Sequence, residues 1–207
     1  MAFYKLLEFY SLHLASVLPV PNPLVGFLAT CPSPYLHHTA SKEYTLVLDL
    51  DETLMHYNYR NNLGQFKIRP YCQEFIFEMS EHFEVGIFTC GTQDYADWVT
   101  SHLRGIEFKL YRHHAVQTST GFIKDLKRLG RDLKKTIILD NLAHNFQLQK
   151  ENGIEIVGWF GDTKYTALLD VLELLKFVIV ERPEDVREGL RLAAQKISAS
   201  NSLKYHS

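Results

Sequence analysis

Short apolar runs alternate with amphipathic stretches from Glu43 to the end of the chain. The runs have the length and composition of strands that are buried on both faces. They are Tyr44–Leu48, Glu84–Thr89, Thr136–Asp140 and Ile154–Val157, with a further strand expected at Ile106–Tyr111. Helical patterns begin at Pro70 and at Asp94, and two more close the chain, one through Leu168–Leu175 and one over Pro183–Ile197.

Strands that are separated by helices form open, mostly parallel sheets. The predicted fold is therefore α/β, with a doubly wound, mostly parallel central sheet and helices on both faces. Residues 57–69 alternate weakly around Asn62 and Gly64, which predicts a small β-hairpin insertion. The insertions are short, so we expect no large cap and a site that is open to a peptide.

Charged residues are unevenly distributed along the chain. Residues 1–41 contain only Lys5 and Glu8 of the 46 charged residues. The distribution divides the chain into an apolar, proline-rich N-terminal extension (1–41), a charged domain (42–197) and a polar tail (198–207) that is predicted to fray.

The extension contains five of the seven prolines, which interrupt its apolar stretch before the roughly 20 residues that a membrane span requires. We favour a coil or short helix packed on the surface of the domain. A segment that associates with a membrane or a partner is the alternative.

Bulk charge and cysteine content limit the possible partners and compartment. The formal net charge of −2 provides no electrostatic basis for direct nucleic-acid binding. The three cysteines form no CxxC pair, and their odd number is typical of a reducing compartment. We therefore expect an intracellular protein of the nucleus or the cytoplasm.

Polar side chains cluster where the predicted strands end. Asp49 and Asp51 follow the first strand, Thr89 ends the second, and Asp140 with Asn141 ends the third. In open α/β sheets, ligands bind beyond the carboxyl ends of the strands. An Asp-x-Asp pair alone more often caps a turn, but three acids, an amide, a hydroxyl and the nearby lysine of Lys124-Asp125 would be costly together without a ligand. A Mg²⁺ ion and a phosphate group would satisfy such a set.

At this point the chain resembles the haloacid-dehalogenase-type phosphatases, and within them the protein phosphatases of the RNA polymerase II C-terminal-domain small-phosphatase type. The resemblance runs from about residue 42 to 190. Its motifs are Leu48-Asp49-Leu50-Asp51-Glu52-Thr53-Leu54, Arg69-Pro70, Phe88-Thr89 with Tyr95-Ala96, Lys124-Asp125-Leu126 with Leu129-Gly130-Arg131-Asp132-Leu133, and Asp140-Asn141 with Trp159-Phe160.

The resemblance implies roles for the acidic residues. Asp49 is expected to be the nucleophile that forms an aspartyl-phosphate. Asp51 is expected to protonate the leaving oxygen and then to activate water as a general base. Mg²⁺ would be held by Asp49, the main-chain carbonyl of Asp51 and Asn141, with Asp140 close by.

Thr89 and Lys124 would bind the oxygens of the transferring phosphoryl group. Thr53 is a further candidate for phosphate binding, and a local hydrogen bond that shapes the turn is an equally good interpretation.

The implied substrate residues are Arg112, Tyr95 and Tyr59. A surface arginine at a strand end is the alternative for Arg112, and a core position is the alternative for Tyr95. Tyr59 would provide one aromatic wall of a substrate pocket. The segment between Leu54 and Arg69 is short where the family often carries a longer insertion, and Leu142 stands where the family usually has serine. These departures concern recognition of the polymerase tail rather than hydrolysis.

The predicted function is a Mg²⁺-dependent phosphoserine/phosphothreonine protein phosphatase that acts on the RNA polymerase II C-terminal domain or on another phosphorylated protein or peptide. Two alternatives remain open: a small-molecule phosphatase of the same superfamily, and a non-catalytic protein-binding domain like those of mitochondrial import receptors.

Other reactive residues have ordinary interpretations. Cys90 is expected to be a packing residue, with a redox-sensitive thiol as the alternative. The side chains of His113 and His114 are expected to diverge, which does not favour a metal site. A basic cluster is expected to be a solvated face or a surface that attracts an acidic phosphopeptide. Its members are Lys127, Arg128, Arg131, Lys134 and Lys135.

Overall fold

The structure, a computed structural model, describes the backbone of residues 31–60 and 63–204, and the side chains of residues 31–58 and 65–196. In chain order the strands are β1 (Tyr44–Leu48), β2 (Met55–Arg60), β3 (Leu63–Ile68), β4 (Phe83–Phe88), β5 (Phe108–Leu110), β6 (Val116–Thr118), β7 (Gly121–Ile123), β8 (Thr136–Asp140) and β9 (Gly153–Glu155). The α-helices are α1 (Cys72–Ser80), α2 (Gln93–Thr100), α3 (Ala167–Glu181) and α4 (Val186–Lys204).

Five parallel strands form the central sheet in the order β5-β4-β1-β8-β9. β1 lies in the middle, and Leu46 stands opposite Val85 of β4 and Ile137 of β8. All five residues of β1 are buried, as the uninterrupted apolar run predicts. The mostly parallel sheet predicted from the alternating pattern is confirmed.

The two faces of the sheet are covered by different kinds of helix. Leu46 and Leu48 contribute to a core shared with residues of all four α-helices, whereas Val47 points into a second core. Over that second core lie two segments of 3₁₀ helix, Leu126–Arg128 and the kinked Ala143–Asn152. A 3₁₀ segment rises about 2.0 Å per residue, which lets a short connection cross the face of the sheet.

Two antiparallel hairpins extend from this sheet. The predicted insertion is β2–β3, in which Met55 pairs with Ile68 and Asn58 with Gln65. The second hairpin, β6–β7, was not predicted, because strands of three residues are too short to show an alternating pattern. It has a direct consequence for the site, because Lys124 follows its last residue.

The last part of the N-terminal extension packs on the charged domain. The backbone N–H groups of Tyr35 and Leu36 donate to the carbonyls of Arg128 and Leu129 at 2.8 and 3.0 Å, and Leu36 is buried in the second core. This part of the extension is a coil packed on the domain, as we favoured, whereas residues 1–30 lie outside the described residues. At the other end, α4 continues through residue 197 to Lys204.

Among the described residues, none of the helices combines the length and apolar character that a membrane crossing requires.

Candidate active site

The carboxyl ends of β1, β4 and β8 bring Asp49, Thr89 and Asp140 to one edge of the sheet. Asp49 is 5% exposed, and the other two are fully buried. The N–H of Asp49 donates to the carbonyl of Leu139 at 2.9 Å, which carries the β1–β8 pairing one residue beyond the strand. The polar residues are therefore fixed by the backbone of the most buried part of the fold.

Lys124 lies between the two carboxylates. Its Nζ is 2.5 Å from Oδ1 of Asp49 and 2.6 Å from Oδ2 of Asp140, and the side chain is completely buried. Burial alone would lower the pKa of Lys124, but the charges of Asp140 and Asp49 outweigh burial and raise that pKa. Lys124 therefore stays cationic, although it has no contact with solvent.

Asp140 is held by donors from the segment that follows it. Its Oδ1 accepts hydrogen bonds from the N–H of Leu142 at 2.9 Å and from Nδ2 of Asn145 at 3.0 Å. Burial, reinforced by the charge of Asp49, raises the pKa of Asp140 to about 6, and Lys124 opposes this rise. Both oxygens of Asp140 accept hydrogen bonds from protein groups, including Lys124 at Oδ2. The arrangement therefore suits Asp140 to holding Lys124 in place rather than to binding a ligand.

Asn145 belongs to the site as well, although no sequence pattern marks it. Besides bonding Asp140, it accepts the backbone N–H of Lys124 at its own carbonyl, at 2.6 Å. It thus ties the end of β7 to the end of β8. The 3₁₀ segment that carries it has no apolar periodicity that could have marked its position.

Thr53 links Asp49 to Asn141. Its hydroxyl donates to Oδ2 of Asp49 at 2.7 Å and accepts the backbone N–H of Asn141 at 3.1 Å. This arrangement matches the local, turn-shaping interpretation of Thr53. The single hydroxyl proton of Thr53 is donated to Asp49, so it is not free to bind a phosphate oxygen in this structure. A contact of Thr53 with phosphate stays a prediction.

The loop after β1 is secured by Arg69, to which the sequence analysis gave no role. The buried guanidinium donates from Nη1 to the carbonyl of Thr53 and from Nη2 to the carbonyl of Val157, each at 2.9 Å. Burial lowers the pKa of Arg69 to about 10. Within the same loop Glu52 has a φ of 58°, a left-handed conformation that turns the chain back over Asp49.

A groove with a volume of about 500 Å³ opens beside Asp51. Arg112 lies in its wall, where Nε donates to the carbonyl of Cys90 at 2.6 Å. Tyr57 also lines the groove, whereas the side chain of Tyr59 lies outside the described residues. The complete lining is Asp51, Glu52, Tyr57, Cys90, Gly91, Thr92, Tyr95 and Arg112.

Asp51 faces this groove and accepts a short hydrogen bond at Oδ1 from the hydroxyl of Tyr95. Burial raises the pKa of Asp51 above its ordinary value, the hydrogen bond from Tyr95 lowers it, and the charge of Asp49 raises it further. The net increase favours a carboxyl group that holds a proton longer than an exposed aspartate does.

The thiol of Cys90 is poorly suited to a redox role. Burial raises its pKa to about 11, and the nearby charge of Lys124 only partly opposes this rise. A protonated thiol is a weak nucleophile, so the packing interpretation of Cys90 is favoured.

His113 and His114 do not diverge, contrary to our expectation. Both lie on one short 3₁₀ turn, and their ring centroids are 4.3 Å apart. Their ligand atoms lie within 4.8 Å of one another and of the Cys31 thiol. However, Nδ1 of His114 accepts the N–H of Tyr111 at 3.0 Å, so the ring proton is on Nε2. With both nitrogens occupied, His114 offers a metal no lone pair.

Part of the basic cluster is committed to internal contacts. Arg131 pairs with the buried carboxylate of Glu84, Arg128 donates to the hydroxyl of Tyr35, and Lys135 pairs with Glu43. The solvated-face interpretation is wrong for Arg131, whose side chain is only 6% exposed, whereas Arg128 and Lys135 are partly exposed and each also bonds another segment of the chain.

The oxygen donors near Asp49 suit Mg²⁺. Oδ2 of Asp49 and Oδ1 of Asn141 lie 2.7 and 3.5 Å from the hydroxyl oxygen of Thr53, which places a carboxylate oxygen and an amide oxygen in the same neighbourhood. Two buried carboxylates share the single ammonium of Lys124, which leaves a net negative charge at the site. Hard oxygen ligands with excess negative charge fit this ion.

Comparison with known proteins adds evidence that the geometry alone cannot supply. A family model described as NLI interacting factor-like phosphatase matches residues 44–187. This range includes all five strands of the central sheet and every predicted catalytic and metal-binding residue.

Three curated relatives are similar to this chain. CTD small phosphatase-like protein 3 of Caenorhabditis elegans is 36% identical over 206 residues, which cover 89% of this chain and 70% of the relative. A probable C-terminal domain small phosphatase of Dictyostelium discoideum is 38% identical and covers 69% of this chain and 52% of the relative. The human carboxy-terminal domain RNA polymerase II polypeptide A small phosphatase 2 is 34% identical and covers 78% and 66%.

Proposed function

The chain belongs to the family of NLI interacting factor-like phosphatases, and from this premise we propose that it is a Mg²⁺-dependent phosphoserine/phosphothreonine protein phosphatase. One observation carries the proposal. The carboxylate of Asp49 is oriented through both of its oxygens, by Lys124 at Oδ1 and by Thr53 at Oδ2. A nucleophile that is held in this way needs little reorganisation when a phosphate approaches.

The chemistry we propose runs in two steps. An oxygen of Asp49 attacks phosphorus and forms an aspartyl-phosphate, while Asp51 gives a proton to the leaving oxygen of the substrate. In the second step Asp51 takes a proton from water, whose oxygen attacks phosphorus and releases Asp49. The raised pKa of Asp51 supports its starting as the acid.

Phosphoryl transfer requires mainly positioning and charge stabilisation. Lys124 is the buried cation nearest to Asp49, and we assign to it and to Thr89 the binding of the phosphoryl oxygens. Mg²⁺, held by Asp49, the main-chain carbonyl of Asp51 and Asn141, would neutralise the charge that otherwise repels an anionic substrate. Asp140 and Asn145 keep Lys124 in place.

We propose phosphorylated proteins as the substrates, and the RNA polymerase II C-terminal domain as a candidate among them. The name of the human relative refers to that domain, and the groove beside Asp51, with Arg112 and Tyr57 in its wall, offers a surface for residues next to the phosphorylated one. We also propose a location in the nucleus or cytoplasm, which the unpaired thiols of Cys31, Cys72 and Cys90 support.

A direct test is the hydrolysis of p-nitrophenyl phosphate by the purified chain, with and without Mg²⁺. We expect turnover only with Mg²⁺, and we expect Asp49→Asn to reduce it at least about 10³-fold, because the nucleophile is lost. Glu78→Gln, a change at an exposed helix position, is the matched control and should retain full activity. Equal rates for the wild type and Asp49→Asn would contradict the proposal and favour a protein-binding domain.

The substrate class needs a second measurement. Phosphoserine and phosphothreonine peptides should be turned over with higher kcat/KM than sugar phosphates. The reverse order would identify a small-molecule phosphatase.

A further inference from the structure

Tyr95 lines the groove and also donates a hydrogen bond to Asp51, which lining the groove alone does not require. We propose that Tyr95 is a positioning residue, which holds Oδ1 of Asp51 so that the transferable proton is carried by Oδ2. The proposal rests on the proposed function, because it assigns a role within the acid–base chemistry of Asp51.

The contact is a hydrogen bond between residues that are 44 positions apart. Tyr95 lies in the first turn of α2, and its hydroxyl donates to Oδ1 of Asp51 in the loop after β1. A phenol is protonated at neutral pH, so Tyr95 acts as the donor in this contact.

The Tyr95 ring is held in place from three sides. The ring of Tyr57 meets it edge-on, with centroids 5.6 Å apart and an interplanar angle of 87°. The Met55 sulfur lies 3.3 Å from its hydroxyl. A Cβ added at Gly91 would lie 3.1 Å from the ring, so the backbone there also approaches closely. A donor that is fixed in this way can select one orientation of the Asp51 carboxyl group.

The hydrogen bond also distinguishes the two carboxyl oxygens. A phenol has one proton, and here it is donated to Oδ1, which must accept it with a lone pair. A protonated carboxyl group accepts hydrogen bonds more strongly at its carbonyl oxygen than at its hydroxyl oxygen. The bond from Tyr95 therefore favours Oδ2 as the oxygen that carries the proton when Asp51 is protonated. Among the described residues, no hydrogen bond engages Oδ2, and Asp51 lines the groove, so Oδ2 is the oxygen that the proposal places against the substrate.

Both proton transfers then use the same atom. As the bond between phosphorus and the leaving oxygen breaks, its electron pair stays on that oxygen, which takes the proton from Oδ2. In the second step Oδ2 accepts a proton from water while the water oxygen bonds to phosphorus and the bond to Asp49 breaks. The Tyr95 proton stays on the phenol in both steps, and no other reactant is required.

Tyr95→Phe tests the proposal, because it removes only the hydroxyl. General-acid assistance matters for serine, a poor leaving group, and little for p-nitrophenol, which leaves readily as an anion. We expect the single-turnover rate for a phosphoserine peptide to fall about tenfold, and the rate of p-nitrophenol release to change less than about twofold. The KM for the peptide should stay nearly constant.

Tyr111→Phe is the matched control. Tyr111 also donates its hydroxyl to a carboxylate, Oδ1 of Asp97 at 3.0 Å, but outside the groove. Both variants lose a phenol–carboxylate hydrogen bond, and only Tyr95→Phe should show the dependence on leaving group. Adding Tyr95→Phe to Asp51→Asn should produce no further decrease, because the two residues act through one carboxyl group.

Three results would overturn the inference. An equal loss of rate with both substrates would indicate a structural role for Tyr95, and an increase confined to KM would indicate that Tyr95 is only a wall of the groove. The third result is a further loss of rate when Tyr95→Phe is added to Asp51→Asn. In each case wild-type turnover shows that the proposed function still holds. A wild type that is inactive on both substrates would instead refute the proposed function, and the inference with it.

Discussion

Two buried carboxylates lie at opposite ends of the parallel sheet, Glu84 near the start of β4 and Asp49 just beyond the end of β1. Both oxygens of Glu84 are bonded by Arg131, with Nε at 2.6 Å and Nη2 at 2.8 Å. Thr45 and His38 lie within 3.3 Å and 3.2 Å of the same carboxylate. Its charge is therefore balanced by a bidentate partner within the protein.

The Asp49 end is not balanced in the same way. Asp49 and Asp140 share a single ammonium, that of Lys124, so a net negative charge stays buried there. An uncompensated buried charge is costly. The Glu84 pair is thus neutral within the protein, whereas the Asp49 end keeps a net negative charge that the proposed Mg²⁺ would balance.

The largest effect should follow the loss of Lys124. Lys124→Met leaves two buried carboxylates without a cation, so we expect a decrease in unfolding free energy of about 3–5 kcal/mol. Activity should fall at least about 10²–10³-fold, because a phosphate-binding charge is lost. Urea unfolding and the hydrolysis assay measure the two effects separately.

A second substitution separates folding from chemistry in this variant. Lys124→Met combined with Asp140→Asn removes one of the two carboxylate charges and should recover much of the stability. Activity should remain low, since the cation is still absent. If activity returned together with stability, Lys124 would be structural, and the contrast with Arg131 would disappear.

Loss of Arg131 should lower stability without lowering activity, in contrast to the loss of Lys124. Arg131→Met leaves Glu84 buried without its bidentate partner, and we expect a loss of about 3–5 kcal/mol in unfolding free energy. Since Arg131 contacts none of the groove residues, kcat measured well below the unfolding transition should be unchanged. Adding Glu84→Gln should restore part of the stability. A large loss of kcat in the folded variant would contradict the assignment.

Much of the fold could be predicted because its central strands are buried on both faces. β1 and β8 read as uninterrupted apolar runs ending on polar residues, and that pattern predicted both the parallel sheet and the edge that carries the site. Three-residue strands such as β6 lack any periodic signal. The 3₁₀ segment Ala143–Asn152 was likewise hidden, since its residues follow no apolar stripe.

The site was predictable where residues follow a strand, and not where tertiary contacts create it. Asp49 and Asp140 could be placed from the apolar runs before them. The contact of Tyr95 with Asp51, and the capping of Asp140 by Asn145, depend on how α2 and the 3₁₀ segment pack. Roles at such positions become visible only when distant segments meet.

The ion pair between Glu84 and Arg131 should make the stability of the protein depend on pH. Burial tends to raise the pKa of Glu84, but the hydrogen bond and charge of Arg131 outweigh it, and the pKa is lowered from the ordinary value of 4.5. A lowered folded pKa means that the stabilisation is fully present above that ordinary value, and is lost as the pH falls through it toward the folded pKa. Urea unfolding at about pH 7 and about pH 3.5 should show that the wild type loses more stability than Glu84→Gln. Equal losses would mean that the pair contributes nothing to acid sensitivity.

An exposed ion pair provides the smallest effect and the reference for both buried ones. Lys176 Nζ lies 2.7 Å from Glu78 Oε1, a distance like those at Glu84, but the two side chains are 47% and 46% exposed. Solvent screens this pair, and ordering two long side chains costs entropy, so Lys176→Met should lower the unfolding free energy by at most about 1 kcal/mol. The loss should shrink further at high salt, whereas the loss in Arg131→Met should not, because only the exposed pair is accessible to ions. Similar losses of unfolding free energy in Lys176→Met and Arg131→Met would show that distance, rather than burial, sets the strength of ion pairs in this protein. In that case burial would not explain why the net negative charge at Asp49 is costly.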